Sequence, residues 1–287
     1  MWEKTEMARR LGLAAPIVQG PFGGGISSAE LTAAASNAGG LGSFGAHLLA
    51  PHQIKELCNE LRSHTRNPFA INLWMPFQDS ENPPITDEQF ARTAELLRPH
   101  YDELGAGLPS RPERFAPKCA DQIEALLEAR PAVFSFVYGV PSPAVLLRCR
   151  QSDIVTIGTA TTVDEAVLLE RAGVDMIVAT GFEAGGHRVS FLRPAEDSLF
   201  GTFALVPQVV DAVKIPVIAA GESELPCYPV QSWFTSSLRK AANSQGNPDF
   251  ISMWAGQGTP LIRHRNAGIL MQSLIEETTV AIGRLAR

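Results

Sequence analysis

The chain has 287 residues, 45% of them hydrophobic, enough for one large α/β domain or two ordinary ones and too apolar for a disordered chain. A formal net charge of −6 and a pI near 5.6 argue against nucleic acid as a partner, because phosphates attract basic faces. The one short basic cluster, Arg263-His264-Arg265, reads as a solvated helix end.

The opening stretch Met1-Trp2-Glu3-Lys4 includes the charged Glu3 and Lys4, and no long apolar run follows it. Neither a signal peptide nor a membrane span is expected, and the expected location is cytoplasmic. Short apolar runs then alternate with helical patterns, as βα units around a parallel sheet do. The predicted strands are residues 16–20, 41–46, 69–73, 133–138, 154–158, 176–180 and 216–220. Runs such as Met176-Ile177-Val178-Ala179 suit strands buried on both faces. Capping boxes mark several helix starts. Ser27 with Glu30 opens a helix bearing Leu31, Ala34, Ala35 and Ala38, ended by Gly39-Gly40. Thr86 with Gln89 opens another, and Thr162 with Glu165 opens a third that stops at Gly173.

Residues 76–131 break this rhythm. They are polar and proline-rich, with helices predicted near 87–98 and 119–129, and read as an elaborated loop placed to cover a barrel mouth. Past Gly221 the alternation stops. Residues 222–228 read as a linker, 231–244 as a helix and 260–286 as a long final helix. The expected division is therefore a barrel over 1–221 and a C-terminal helical segment over 222–287. Cys58, Cys119, Cys149 and Cys227 are scattered without a CxxC pair, so they read as buried or idle thiols in a reducing compartment. Seven strands fall one short of a closed (β/α) barrel, whereas an open doubly wound sheet is content with seven. Strand count alone leaves both architectures standing.

In either, ligands sit beyond the C-terminal ends of the parallel strands. After the first strand comes Gln19-Gly20-Pro21-Phe22-Gly23-Gly24-Gly25, where glycines let backbone approach a flat ring or a phosphate. Gly40-Leu41-Gly42-Ser43-Phe44-Gly45 matches the GxGxxG pattern. It runs from helix into strand, the reverse of the dinucleotide motif, and is read as a false match. Asn72 stands where the third strand ends; it either caps the loop or offers its amide to the edge of a heterocycle. The sixth strand delivers Thr180-Gly181-Phe182-Glu183-Ala184-Gly185-Gly186-His187-Arg188. Gly185 and Gly186 offer backbone N–H groups for an anion, and His187 suits proton abstraction or stabilisation of negative charge. Glu183 reads as a second acid or as the partner of Arg188 or Arg193. Of six histidines no pair has metal-ligand spacing; His47 and His52 lack carboxylate or cysteine company, so no metal is expected. Neither a GxSxG elbow nor a Walker lysine loop occurs.

Three segments, Ala15-Pro16-Ile17-Val18-Gln19-Gly20-Pro21, Phe69-Ala70-Ile71-Asn72-Leu73-Trp74 and Gly181-Phe182-Glu183-Ala184-Gly185-Gly186-His187-Arg188, resemble class I nitronate monooxygenases, formerly called 2-nitropropane dioxygenases. Tyr228-Pro229-Val230-Gln231-Ser232-Trp233 and Trp254-Ala255-Gly256-Gln257-Gly258-Thr259 resemble that family's C-terminal motifs. The resemblance implies a TIM-type (β/α) barrel with a small helical region, bound FMN, and oxidation of alkyl nitronates by O2 to carbonyl compounds and nitrite. It makes His187 the catalytic base or the group that stabilises negative charge on the flavin. Gly20, Pro21, Phe22 and Gly23 would line the flavin ring, and Asn72, Thr180 and Gly185 match FMN-contact positions. Gly186 and Gly221 are assigned to the same cofactor. Thr180 stands where relatives often carry glutamine.

The departure lies after Pro216-Val217-Ile218-Ala219-Ala220-Gly221. In relatives a helix and an eighth strand follow and complete the phosphate site; here Glu222-Ser223-Glu224-Leu225-Pro226 comes directly, as after an internal deletion. An incomplete barrel is therefore expected. The expected partners are a nitronate or nitroalkane and O2, with no nucleic acid and no membrane; homo-oligomerisation stays open. Two alternatives stand beside this reading, an NAD(P)H-dependent flavin reductase of quinones or enoyl thioesters and a flavin-free, non-catalytic remnant.

Overall fold

The structure, a computed structural model, describes residues 2–23, 27–76, 85–221, 244–245 and 263–285. Six parallel strands form one sheet in chain order: β1 Gly42–Gly45, β2 Phe69–Trp74, β3 Val133–Val137, β4 Val155–Ala160, β5 Met176–Gly181 and β6 Val217–Gly221. The helices are α1 Glu6–Leu11, α2 Ala29–Asn37, α3 Pro51–His64, α4 Asp87–Glu103, α5 Cys119–Ala129, α6 Pro143–Gln151, α7 Val163–Ala172, α8 Thr202–Ala212 and α9 Ala267–Leu285.

Alternation along each strand decides the architecture. Ile71, Leu73, Phe134, Phe136, Ile177 and Ala179 point to one face, where they join Leu57, Leu61, Leu126, Cys149, Leu169 and Val209 from the helices in a single core. Leu41, Ala70, Val133, Ile157 and Met176 point to the other face and cluster with Met7 of α1, with Leu11 and Leu13 packed against them. Helices cover one face, and the opposite face turns inward over its own plug. That is the barrel arrangement, here six strands of it; a doubly wound sheet would carry helices on both faces and reverse its strand order.

Several predicted elements shift. The first predicted strand, residues 16–20, contributes only one parallel bridge, Val18 to Leu41. Its hydrogen bonds are Leu41 N to Ile17 O and Gln19 N to Leu41 O, both 2.9 Å. Pro16 and Pro21 flank this short stretch and lack the N–H needed to lengthen the ladder, so among the described residues six strands stand where seven were expected. Ser28, not Ser27, caps α2, accepting from Leu31 N at 3.1 Å. Ser27 instead accepts from Phe22 N at 3.0 Å and ties down the glycine loop. Thr86 and Gln89 form the full capping box expected of α4, which then runs through Pro99 to Glu103. The false GxGxxG match is explained by packing. A Cβ on Gly42 would strike the Thr32 carbonyl of α2, and one on Gly45 would lie 2.8 Å from the Phe22 carbonyl carbon and the Gly23 nitrogen.

Within residues 76–131, α5 is the crossover helix from β2 to β3, packed on α3 and β2, whereas α4 carries a small separate cluster of Tyr101 and Leu104. The final helix begins at Ala267 rather than 260, with Asn266 Oδ1 accepting from Ile269 N at 3.1 Å; residues 260–262 lie outside the described residues. It packs on α2, where Met271 is buried. The basic cluster precedes it, and Arg263 pairs with Glu277 at 2.5 Å. Among the described residues β6 pairs only with β5, and no helix is long and apolar enough to cross a membrane. The predicted linker 222–228 and nearly all of the predicted helix 231–244 lie outside the described residues.

Cys58, Cys119 and Cys149 are buried, as expected; Cys227 lies outside the described residues. Burial pushes the Cys58 and Cys149 thiols from the ordinary 9.0 up to about 11. Two pH units mean about a hundredfold less thiolate at pH 8. Labelling of the native protein with an aromatic disulfide reagent, mapped by mass spectrometry, is therefore expected to leave both unmodified until urea is added. Fast native labelling of either would contradict the packing described.

Candidate active site

The inward-facing residues change character along the strands. Beneath lies the apolar layer of Leu41, Ala70, Val133, Ile157 and Met176. Two residues further on, the same face carries Ser43, Asn72, Ser135 and Thr159, and beyond these Gly45, Trp74, Val137 and Thr180. The inward face is thus apolar at the N-terminal ends and gains polar groups toward the C-terminal ends. Asn72 is almost fully buried; its Nδ2 donates to Ser135 Oγ at 3.0 Å across the paired strands. It therefore bridges the sheet rather than capping the loop.

The glycine loop folds over the β1 end of this face. Gln19 reaches into it twice, accepting from Ser43 N at 3.1 Å and donating to the Gly20 carbonyl. Phe22 and Ser27 exchange two bonds, of 3.0 and 3.3 Å. The loop can lie this close because Gly45 has no side chain, and Gly23 sits directly against the His47 ring. Gly24 and Gly25 lie outside the described residues.

The segment after β5 is fastened by three charged side chains, Glu183, Arg188 and Glu165. Glu183 feels the positive charge of Arg188, which helps to lower its pKa, and is not poised as an acid. Its carboxylate accepts from Thr202 N at 3.0 and 2.9 Å and from Thr202 Oγ1 at 2.8 Å, at the start of α8. Burial alone would raise its pKa, but these hydrogen bonds outweigh burial and hold it below the ordinary carboxylate value, hence ionised. Arg193 pairs with Asp164 instead. Arg188 is buried; it donates to the Thr180 carbonyl at 2.7 Å, the Thr161 carbonyl at 3.1 Å, Ser198 Oγ at 3.2 Å and the Ser198 carbonyl. Glu165 does not close the capping box expected with Thr162, although Thr162 does accept from Glu165 N at 3.3 Å. Its carboxylate is fully buried and accepts from Thr161 N at 2.6 Å, Thr161 Oγ1 at 2.7 Å, Phe191 N at 2.6 Å and Leu192 N at 3.1 Å. These bonds pin the far side of the loop to α7.

Gly185, Gly186 (φ 108°) and His187 ride on this fastened segment. His187 is partly buried, and burial lowers its pKa from the ordinary 6.5, favouring the neutral ring at pH 7. It meets Trp74 edge-wise, ring centroids 5.0 Å apart at 69°. Trp74 stacks on His47 at 3.9 Å and 6° and meets Tyr138 at 5.1 Å and 65°. Tyr138 has φ of 65°, an uncommon and costly conformation for a bulky residue.

The structure thus gathers the loop Gly20, Pro21, Phe22 and Gly23, with Asn72, Thr180, Gly185, Gly186 and His187, at the C-terminal ends of β1, β2 and β5. Gly221 ends β6 directly opposite Gly181. In the sequence His47 is weighed only as a metal ligand, and Trp74 and Tyr138 are assigned no site role; the three stand at or within two residues of the ends of β1, β2 and β3. That position is the signal by which they could have been found. Away from the strand ends, Glu30, Glu60 and His64 bring ligand atoms within 4.8 Å of one another, all three exposed on α2 and α3. The motifs at 228–233 and 254–259 lie outside the described residues.

Comparison with known proteins places the chain in a family and a fold. A family model described as nitronate monooxygenase matches residues 4–222, most of the chain. A probable nitronate monooxygenase of Staphylococcus aureus (strain Newman) is 30% identical, the match covering 96% of this chain and 98% of the relative. That alignment runs over 356 positions although this chain has 287 residues, so the relative carries sequence without a counterpart here. A solved nitroalkane oxidase from Streptomyces ansochromogenes superposes with a TM-score of 0.79 at 26% identity, covering 98% of this chain and all of that one. FabK from Thermotoga maritima, at 18% identity and a TM-score of 0.67, shares the fold.

Proposed function

Since the chain belongs to the nitronate monooxygenase family, we propose that it is an FMN-dependent oxidoreductase that oxidises alkyl nitronates with O2 to carbonyl compounds and nitrite. The observation that carries the reading is the position of His187. A neutral imidazole, held by a fastened loop, stands against the Trp74 ring at the mouth of the polar interior.

The residues present suit the ring half of such a cofactor. Asn72 and Ser135 form a bonded polar pair above an apolar floor, the donor and acceptor set that the edge of a heterocycle requires. Gly20, Pro21, Phe22 and Gly23 lie over the β1 end, and Thr180 faces inward from β5. Gly185, Gly186 and Gly221 offer backbone at the ends of β5 and β6 for an anionic group. FMN, when bound, supplies the electron transfer and the oxygen chemistry. The chain's own residues orient and deprotonate. His187 takes the proton from the carbon bearing the nitro group of a neutral nitroalkane, and a preformed nitronate bypasses that step. Trp74, Tyr138 and His47 keep water from the inner end of the site, which strengthens every polar contact there. Family membership favours this reading over the reductase and the flavin-free remnant.

The visible spectrum of the purified protein, before and after FMN is added and the excess removed, tests it together with a nitrite assay on ethyl nitronate. A retained flavin spectrum and nitrite release are expected. A colourless protein that holds no added FMN would sink the reading.

A further inference from the structure

The reaction just proposed uses His187 for proton transfer and the other rings of the cluster only to exclude water. Simple packing would seal a four-ring cluster, yet Trp74, Tyr138 and His187 are each only partly buried, while His47 is buried behind Trp74. The indole is held from two sides. His47 lies flat on it at 3.9 Å and 6°, and Tyr138 abuts it at 5.1 Å and 65°. Tyr138 keeps that place at the cost of a positive φ. Trp74 also stands on the same strand face as Asn72, one inward step closer to the mouth. A ring fixed in this way is a wall and not a mobile lid.

Resting on the function proposed above, we infer that Trp74 is a specificity-determining residue, the apolar wall that the substituent of the nitronate lies against, so that the site favours extended or aromatic nitronates over ethyl nitronate. His187 lies 5.0 Å from Trp74 between ring centroids, so a substrate whose acidic carbon is presented to His187 has its substituent within reach of the indole. The contact is apolar and flat, and the gain follows the area covered. Burial of one methylene is worth about a three- to fourfold gain in affinity.

The test has two readouts. Calorimetric binding of straight-chain carboxylates from propanoate to hexanoate, planar anions like the nitronate, needs no turnover. Nitrite release from the matching nitronate series reports kcat/KM. In the wild type both are expected to improve about threefold per methylene over the first few carbons. Trp74→Ala is expected to flatten the series to less than about 1.5-fold per step. Trp74→Phe, the safer variant should the alanine protein misfold, is expected to retain an intermediate slope. Either a wild-type series with no slope or a Trp74→Phe series as steep as the wild type's would overturn the wall. Chain-length-dependent binding with no nitrite from any nitronate would instead overturn the oxidase reading and leave the wall standing.

Discussion

His187→Asn is expected to leave a folded protein that turns over neutral nitroalkanes about 10²–10⁴-fold more slowly, the range that one positioned general base supplies. Preformed nitronates are expected to lose far less, because their proton is already gone. The contrast between the two substrate forms separates a base from a residue that merely shapes the pocket; equal losses on both would remove His187 from the proton-transfer role. The pH dependence has a definite sign. Burial depresses the His187 pKa below 6.5, so the neutral base persists under mildly acidic conditions. Turnover of neutral nitroalkanes should hold through pH 6.5 and fall only as the pH drops through the depressed value. Stability follows the same direction. Between the folded and unfolded pKa values the unfolded chain binds the extra proton, so the His187 contribution is complete above about 6.5 and is lost as the pH falls through the folded value. The asparagine variant should lack that decline in thermal melts run across the window.

Glu165→Ala is expected to lower stability by about 3–5 kcal/mol, the usual cost of breaking one side of a buried charged network. For a chain of this length that corresponds to a melting temperature lower by about 10 °C. The carboxylate is fully buried and accepts four hydrogen bonds. Alanine would leave the buried Thr161 N–H and hydroxyl without their acceptor and strip one from the partly buried Phe191 and Leu192 N–H groups. Glu165→Gln should fall between the two, since an amide restores acceptors on one atom only. Because Arg188 bonds the carbonyl of the same Thr161, nitronate turnover should weaken along with stability. A Glu165→Ala melt within about 1 kcal/mol of the wild type would mean that water replaces the carboxylate and that the loop is not pinned as described. Glu183→Ala, at a less buried site, is expected to cost less.

Glu165 also marks where sequence reasoning reaches its limit. Three residues after Thr162 it fits a capping box, and the local pattern carries no information about Phe191 and Leu192, which the fold brings in from beyond β5. Adjacent serines pose the same problem on a smaller scale. Ser27 and Ser28 are equivalent as caps by spacing, and only the glycine loop, folding back on itself, claims Ser27 and leaves Ser28 to α2. His47, Trp74 and Tyr138 come from three separate strand ends, and nothing in any one segment announces the other two.

What the sequence determined by itself was written mostly in local periodicity. Six apolar runs appear as strands β1 to β6, α5 spans its predicted residues 119–129, and Thr86 with Gln89 caps α4, because burial of a run and closure of a cap depend on residues a few positions apart. The segment carrying Gly185, Gly186 and His187 was legible for the same reason, being one stretch at one strand end. Tertiary structure decided the rest. Barrel against doubly wound sheet was settled by which face the helices pack on, a choice made by contacts far apart in the chain. The first strand shrank to the Val18 bridge because a ladder needs donors, and Pro16 and Pro21 have none to give. The charged residues around His187 found acceptors and donors on distant elements, since a buried charge takes whatever partners the fold brings near, not the ones its own sequence neighbourhood suggests.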